Sequence, residues 1–242
     1  WQIIHARAET GEPYMINIDT CNNALPKEQK DLGLSIKQSN LCSEITLPTN
    51  EERTAVCCLS SVNLEKWHEW SLEKKFIEDI MRFLDNVLED FINRAPESMK
   101  NAVYSAIRER SVGLGAMGFH SFLQKEKIPF ESSLAKSWNI KFFKHIRKEA
   151  DRASLLLAME KGACPDAKDQ GVKARFSHKL AIAPTASISI ICGGTSACIE
   201  PIPANVYTHK TLSGSFTVKN KFLEEILTEK NLNTEKTWQS IL

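Results

Sequence analysis

The chain has 242 residues, 31 Lys and Arg against 30 Asp and Glu for a net charge of +1, 42% hydrophobic residues, 10 Gly and 9 Pro. This describes a folded globular chain of one large or two small domains and excludes a low-complexity chain, a peptide-like scaffold and a protein held to nucleic acid by bulk charge. Seven cysteines (Cys21, Cys42, Cys57, Cys58, Cys164, Cys192, Cys198) are an odd number without the dense spacing of secreted frameworks, and read as reduced thiols of a cytoplasmic protein. No apolar run approaches the roughly 20 residues of a membrane helix, and no basic and apolar leader opens the chain. It opens at Trp1 and stops at Leu242 in a polar stretch, so both ends read as cut.

In chain order, residues 14–18, 41–47 and 55–62 read as short strands, with a polar surface loop at 25–37. Over residues 71–95, Phe76, Ile80, Phe83, Leu84, Val87, Leu88 and Phe91 recur at helical spacing until Pro96. Shorter helices are predicted over 99–108 and 115–125. A long helix starts near Ser132 or Ser133, carries Leu134, Trp138, Phe142, Ile146, Leu156 and Met159, and stops at Gly162 and Pro165. Residues 164–177 read as a second long surface loop, and 180–183, 188–192 and 216–218 as strands. Asn220 can cap a helix carrying Phe222, Leu223, Ile226 and Leu227. The order is mixed α/β, compatible with a barrel or an open sheet.

Three segments carry candidate chemistry. In Ser39-Asn40-Leu41-Cys42-Ser43-Glu44-Ile45, an extended backbone would put Asn40, Cys42 and Glu44 on one side: an amide to orient a hydroxyl, a reactive thiol and a carboxylate base. The plainer reading is the polar face of a half-exposed strand. Cys57 and Cys58 are adjacent, so strand alternation sends them to opposite faces, one toward a pocket and one into the core. Pro184-Thr185-Ala186-Ser187-Ile188-Ser189 offers small residues whose backbone N–H groups could cradle a phosphate, or a plain hydroxyl-capped turn. No Cys-x-x-Cys pair or neighbouring His supports a metal site.

Gly113-Leu114-Gly115-Ala116-Met117-Gly118 matches the dinucleotide pattern literally. The charged residues Arg108, Glu109 and Arg110 just before it argue against the buried strand that pattern needs. Its glycines are better assigned to close packing between strand and helix. The six His read as surface or capping residues, and Trp67, Trp70 and Trp138 as packing residues.

Together with Arg110-Ser111-Val112-Gly113-Leu114-Gly115 and Ile199-Glu200-Pro201, these segments resemble, in order and over nearly the whole chain, the large catalytic subunit of class I ribonucleotide reductase, in a form like that of T4-type bacteriophages. The resemblance implies a portion of a ten-stranded α/β barrel: the second half-barrel plus the central finger loop, with residues 1–242 forming a barrel domain incomplete at both ends. It implies reduction of ribonucleoside diphosphates to deoxyribonucleotides for DNA synthesis.

By the same resemblance Cys42 is the transient thiyl radical that takes hydrogen from ribose C3′, Glu44 the base at the 3′-hydroxyl, and Asn40 the amide that binds the ribose. Cys57 is one of two redox cysteines, and Cys58 stands where no thiol is required. Ser39, Asn40 and Glu44, with Thr185, Ala186, Ser187, Ile188 and Ser189 at the phosphates, are the implied substrate-binding residues.

No cofactor or metal is implied within the segment. The radical comes from a metal-containing small (beta) subunit, and ATP and deoxynucleotide effectors bind outside it. The implied partners are that subunit, thioredoxin or glutaredoxin, the remaining alpha-chain sequence and a second alpha chain, in the cytoplasm (the host's, for a phage protein), with no nucleic acid or membrane. A non-catalytic chain that completes a partner's barrel and a cobalamin-dependent reductase are the competing readings.

Overall fold

A computed structural model describes residues 1–242, apart from the side chain of residue 211. Its elements are α1 (Gln2–Thr10), α2 (Ile18–Asn23), α3 (Lys27–Asp31), β1 (Leu59–Asn63), α4 (Trp67–Trp70), α5 (Phe76–Arg94), α6 (Lys100–Glu109), β2 (Gly113–Met117), α7 (Phe119–Lys125), α8 (Ser133–Lys161), α9 (Pro165–Asp169), α10 (Ile188–Ile191), β3 (Val206–Thr211), β4 (Gly214–Lys219), α11 (Lys221–Glu229) and α12 (Glu235–Ile241). They divide into two compact units, one of Trp1–Val62, His68–Ala116 and Ile140–Pro184, the other of Asn63–Trp67, Met117–Asn139 and Thr185–Leu242.

In the first unit α5 buries Ile77, Met81, Leu84 and Leu88, a stripe at three- and four-residue spacing. It stops at Arg94 because Ala95, which precedes Pro96, is held extended. Phe142, Ile146, Ala150, Ala153 and Leu157 form the matching stripe of α8. All five residues of β2 are buried, and β2 pairs with β1. On its other edge it meets residues 178–181 through a parallel bridge between Leu114 and Leu180. A Cβ on Gly113 would lie 2.3 Å from Leu59 Cδ2 and one on Gly115 2.2 Å from the Ala181 carbonyl oxygen. Only glycine lets the three segments approach this closely.

In the second unit β3 and β4 form an antiparallel hairpin with Val206 opposite Lys219. Val206, Leu227 and Trp238 make a small core beside it. Asn220 caps α11, its side-chain oxygen accepting the Phe222 N–H, as expected.

Several expectations are corrected. Residues 14–17 and 41–47 form no strand, β1 begins only at Leu59, and 180–183 contributes the single bridge at Leu180. The isoleucine-rich 188–191 is helical: Thr185 adopts a left-handed turn (φ 51°) and its carbonyl accepts the Ser189 N–H at 3.0 Å, starting a turn that overrides strand propensity. Residues 115–117 finish a strand, and helix α7 starts only after Gly118 (φ 78°). Neither surface loop is one. Leu25, Gln29 and Ile36 are buried in the first, and Cys164, Asp166, Arg175 and Phe176 in the second. Composition misreads both because the partners of their polar groups are distant in sequence. Two two-stranded sheets and isolated bridging are the sheet structure among the described residues, and these strands close no barrel.

Candidate active site

Asn40, Cys42 and Glu44 sit on a tight turn, not on a strand. The Asn40 carbonyl accepts the Ser43 N–H at 3.1 Å, and Ser43 takes a left-handed conformation (φ 62°) that breaks the two-residue alternation. Side chains lock the turn: Asn40 Oδ1 accepts the Ile45 N–H at 3.1 Å and Ser39 Oγ donates to the Ile45 carbonyl at 2.6 Å. Asn40 and Ser39 therefore fix the loop that presents Cys42, whose thiol is exposed on a cleft of about 540 Å³ shared with Glu44, Leu114, Phe143, Leu180 and Ile182.

Glu44 is half-buried, and its Oε2 is buried with no hydrogen-bond partner among the described residues. A carboxylate oxygen withdrawn from water without a donor is costly. A hydroxyl brought into the cleft would supply that donor.

Cys57 is exposed overall, but partial desolvation of its thiol, followed by the charges of Glu44, Cys58 and Cys42, pushes it above its ordinary range. Those three groups therefore lie within electrostatic reach of Cys57, and the arrangement favours the protonated thiol. Burial raises Cys58 as well. Both cysteines line one small cavity with Glu44, Ser111 and His178. Cys57 is exposed and feels the charges of Glu44 and Cys42, whereas Cys58 is half-buried and its carbonyl accepts the Gly113 N–H at 2.9 Å.

Residues 185–189 lie in the second unit as a turn of their own. Thr185 Oγ1 accepts the Cys198 N–H at 2.7 Å, and Ser189, buried, donates its hydroxyl to the Ala186 carbonyl at 3.2 Å. The side chains of Thr185 and Ser189 are thus used internally. The backbone N–H groups of Ala186, Ser187 and Ile188 have no partner among the described residues.

The dinucleotide reading fails on position, because Gly113 and Gly115 lie inside β2 and not in a turn after it. Trp67 and Trp70 are buried packing residues, and Trp138 packs edge-on to Phe122. His178 is no surface residue: its Nε2 lies 2.7 Å from Gln29 Oε1, and burial lowers its pKa to about 4. Ser111 and His178 were not expected at the site. The first lies two residues before β2, in a charged run that gave no sign of burial, and the second is recruited by Gln29, 149 positions away. Among the described residues no group of three or more His, Cys, Asp or Glu could hold a metal ion, and no helix is long and apolar enough to cross a membrane.

Residues 1–173 and 166–242 match the barrel domain of ribonucleotide reductase. The ribonucleoside-diphosphate reductase large subunit of Invertebrate iridescent virus 3 is 51% identical over all of this chain, which covers 39% of that protein. The putative large subunit of Frog virus 3 is 45% identical over all of this chain and 43% of its own length. Among solved structures, the class Id ribonucleotide reductase alpha subunit of Actinobacillus ureae superposes with a TM-score of 0.91 at 37% identity, covering 99% of this chain and 44% of that one. The chain thus spans about two fifths of the length of these relatives. With the match reaching from end to end, the chain belongs to the ribonucleotide reductase barrel-domain family and is a homologue of class I large subunits.

Proposed function

We propose that this chain carries the radical active site of a ribonucleoside-diphosphate reductase large subunit, and that it works with further alpha-chain sequence, a second alpha chain and a metal-containing small subunit that supplies the radical. The observation that carries the reading is the grouping of Cys42, Glu44 and Cys57, with a buried carboxylate oxygen of Glu44 lacking a donor.

In this reading the Cys42 thiyl takes the C3′ hydrogen of the ribose and becomes a thiol, while Glu44 accepts the proton of the 3′-hydroxyl. Asn40 holds the ribose hydroxyls from a turn its own side chain stabilises. Cys57, kept as a thiol by its surroundings, and a second cysteine supply the two electrons and two protons with which the 2′-hydroxyl leaves as water and hydrogen takes its place; Cys42 returns its hydrogen to C3′ and is again a thiyl, and the cysteine pair closes to a disulfide that thioredoxin or glutaredoxin reopens. The free N–H groups at Ala186, Ser187 and Ile188 are donors suited to the diphosphate. β1, β2 and the bridging 178–181 segment belong to the second half of a ten-stranded barrel, with the Asn40 to Glu44 turn as its finger loop. The T4-type affiliation rests on the motifs alone.

The test is turnover of a complete large subunit containing this sequence, with its small subunit and thioredoxin. Cys42→Ser should abolish deoxyribonucleotide formation while ribonucleotide still binds, and Cys57→Ser should stop multiple turnovers. Cys58→Ala should be much milder. Retained turnover by the Cys42 variant would sink the reading, and an equal loss at Cys58 would reverse the assignment of the two thiols.

A further inference from the structure

Beside the cysteine cavity lie two buried polar side chains and a half-buried histidine that the proposed chemistry does not use. Gln29, on α3, is fully buried, and Glu109, the last residue of α6, is 2% exposed. Gln29 Nε2 donates to Glu109 Oε2 at 2.9 Å, and Gln29 Oε1 faces His178 Nε2 at 2.7 Å. His178 and the neighbouring Ser111 line the cavity that holds Cys57, Cys58 and Glu44. The cavity measures about 40 Å³, room for one water molecule or a few. Ser111 Oγ on its wall is buried and within the influence of the Glu109 carboxyl, and His178 Nδ1 has no hydrogen-bond partner among the described residues.

An amide has one donating end and one accepting end, so the direction of its bond to Glu109 dictates the direction of its bond to His178. An ionised Glu109 only accepts. The Gln29 NH₂ then faces it, the amide oxygen faces the ring, and His178 must carry its proton on Nε2, leaving Nδ1 as a bare lone pair. A protonated Glu109 keeps an accepting oxygen but gains an O–H, and in the arrangement inferred here that O–H donates to the amide oxygen. The amide then turns about, its NH₂ points at Nε2, and the ring proton moves to Nδ1.

We infer that Glu109, acting through Gln29, sets the tautomer of His178 and so makes that ring either an acceptor or a donor toward the cavity of the Cys57 and Cys58 thiols. His178 is thus a positioning residue for the redox thiol, an assignment that rests on the reading of Cys57 as redox-active.

Both states fall within ordinary pH. Burial raises Glu109 to about 7, with Asp166 raising it further and Gln29, Arg53 and Ser111 opposing. Arg53 and Arg108 are themselves engaged with Asp166, at 2.7 and 2.8 Å. Burial, aided by the Lys179 charge, keeps His178 neutral above about 4, and Lys179 is paired with Asp151 at 2.8 Å. Glu44, Cys57 and Cys58 are the titratable groups that line the cavity with His178. With Nδ1 as acceptor the ring would hold an S–H that reaches it across the cavity. With Nδ1–H as donor it favours the thiolate, a difference of about fivefold in thiolate population for one ordinary hydrogen bond.

The experiment is ¹⁵N NMR of a complete large subunit containing this sequence, with its histidines labelled and His178 assigned by loss of its signal in His178→Gln, between pH 5.5 and 8.5, alongside iodoacetamide alkylation of Cys57 read by mass spectrometry. The protonated nitrogen of His178 should exchange between Nδ1 and Nε2 with a midpoint near 7, and Cys57 alkylation should depart about fivefold from a single-thiol titration at the same midpoint. Gln29→Leu, which severs the chain and leaves both ends, should abolish both transitions. A single tautomer throughout in the wild-type chain, a cationic ring in this range, or transitions that survive in Gln29→Leu would overturn the inference. Neither readout requires turnover. Loss of the reductase reading through an active Cys57→Ser enzyme would therefore leave the tautomer result standing, and a fixed tautomer would leave the reductase reading untouched.

Discussion

Two buried polar regions of the first unit are built on opposite rules. Asp85, on α5 and fully buried, accepts from Arg110 at 2.9 Å, Arg175 at 2.9 Å and Lys161 at 2.9 Å. Burial alone would raise its pKa, yet the bonds from Arg175 and Lys161 and the charge of Arg110 hold it below the usual carboxylate range. Asp166, on α9, is gripped in the same way by both arms of Arg53, at 2.7 and 2.9 Å, and by Arg108 at 2.8 Å. These two carboxylates tie α5, α6, α9, the end of α8 and the segment before β1 into one frame. At the cysteine cavity, by contrast, Glu44 Oε2 is buried without a partner. The frame carboxylates are saturated by charged donors, whereas the Glu44 oxygen has a place for the donor that the proposed substrate would bring.

That contrast breaks most visibly at Asp85. Asp85→Ala would leave Arg110 and Arg175 buried without their shared carboxylate and should cost about 3–5 kcal/mol, measured by urea unfolding. A loss below about 1 kcal/mol would mean the frame does not depend on its ion pairs.

The next effect is on pH dependence. Glu109 has a folded pKa of about 7, raised by burial above its ordinary 4.5. The folded chain therefore holds that proton more tightly than the unfolded chain. The associated stability is present below the ordinary carboxylate value and is lost as pH rises through about 7, on the order of 3 kcal/mol in all. His178 runs the other way: its folded pKa of about 4 lies below the ordinary 6.5, so its share is present above that value and is lost as pH falls through 4. Unfolding of Glu109→Gln against the parent from pH 4 to 8 should show the parent losing that margin on the way up. Parallel curves would contradict the placement of Glu109.

The smallest effect sharpens the comparison from the other side. Glu44→Gln removes a carboxylate whose buried oxygen has no donor and should change stability by less than about 1 kcal/mol, in either direction, while abolishing 3′-hydroxyl deprotonation. Destabilisation as large as that of Asp85→Ala would place Glu44 in the frame.

How much of this was legible in the sequence depends on the range of the cause. Helix α5 and the stripe of α8 follow from local periodicity, and the Asn220 cap from a single residue type before an apolar run. β2 was missed because Gly113 and Gly115 have no strand propensity, and their reason for being there is the nearness of Leu59 and Ala181. The motif around Cys42 was legible as chemistry but not as geometry. Ser43 adopts a left-handed turn that its residue type does not announce, so the trio shares a loop and not a strand face. The chain from His178 through Gln29 to Glu109 joins residues 149 and 80 positions apart, beyond the reach of any local pattern.

The account stands on Cys42 as the group that takes hydrogen from the ribose, and the most direct measurement is release of tritium from a ribonucleoside diphosphate labelled at C3′. A complete large subunit containing this sequence, supplied with its small subunit, should release to water the fraction of label that exchanges from the Cys42 thiol before hydrogen returns to C3′, and Cys42→Ser should release none while still binding the nucleotide. Release at the parent rate from the Cys42 variant would contradict the account.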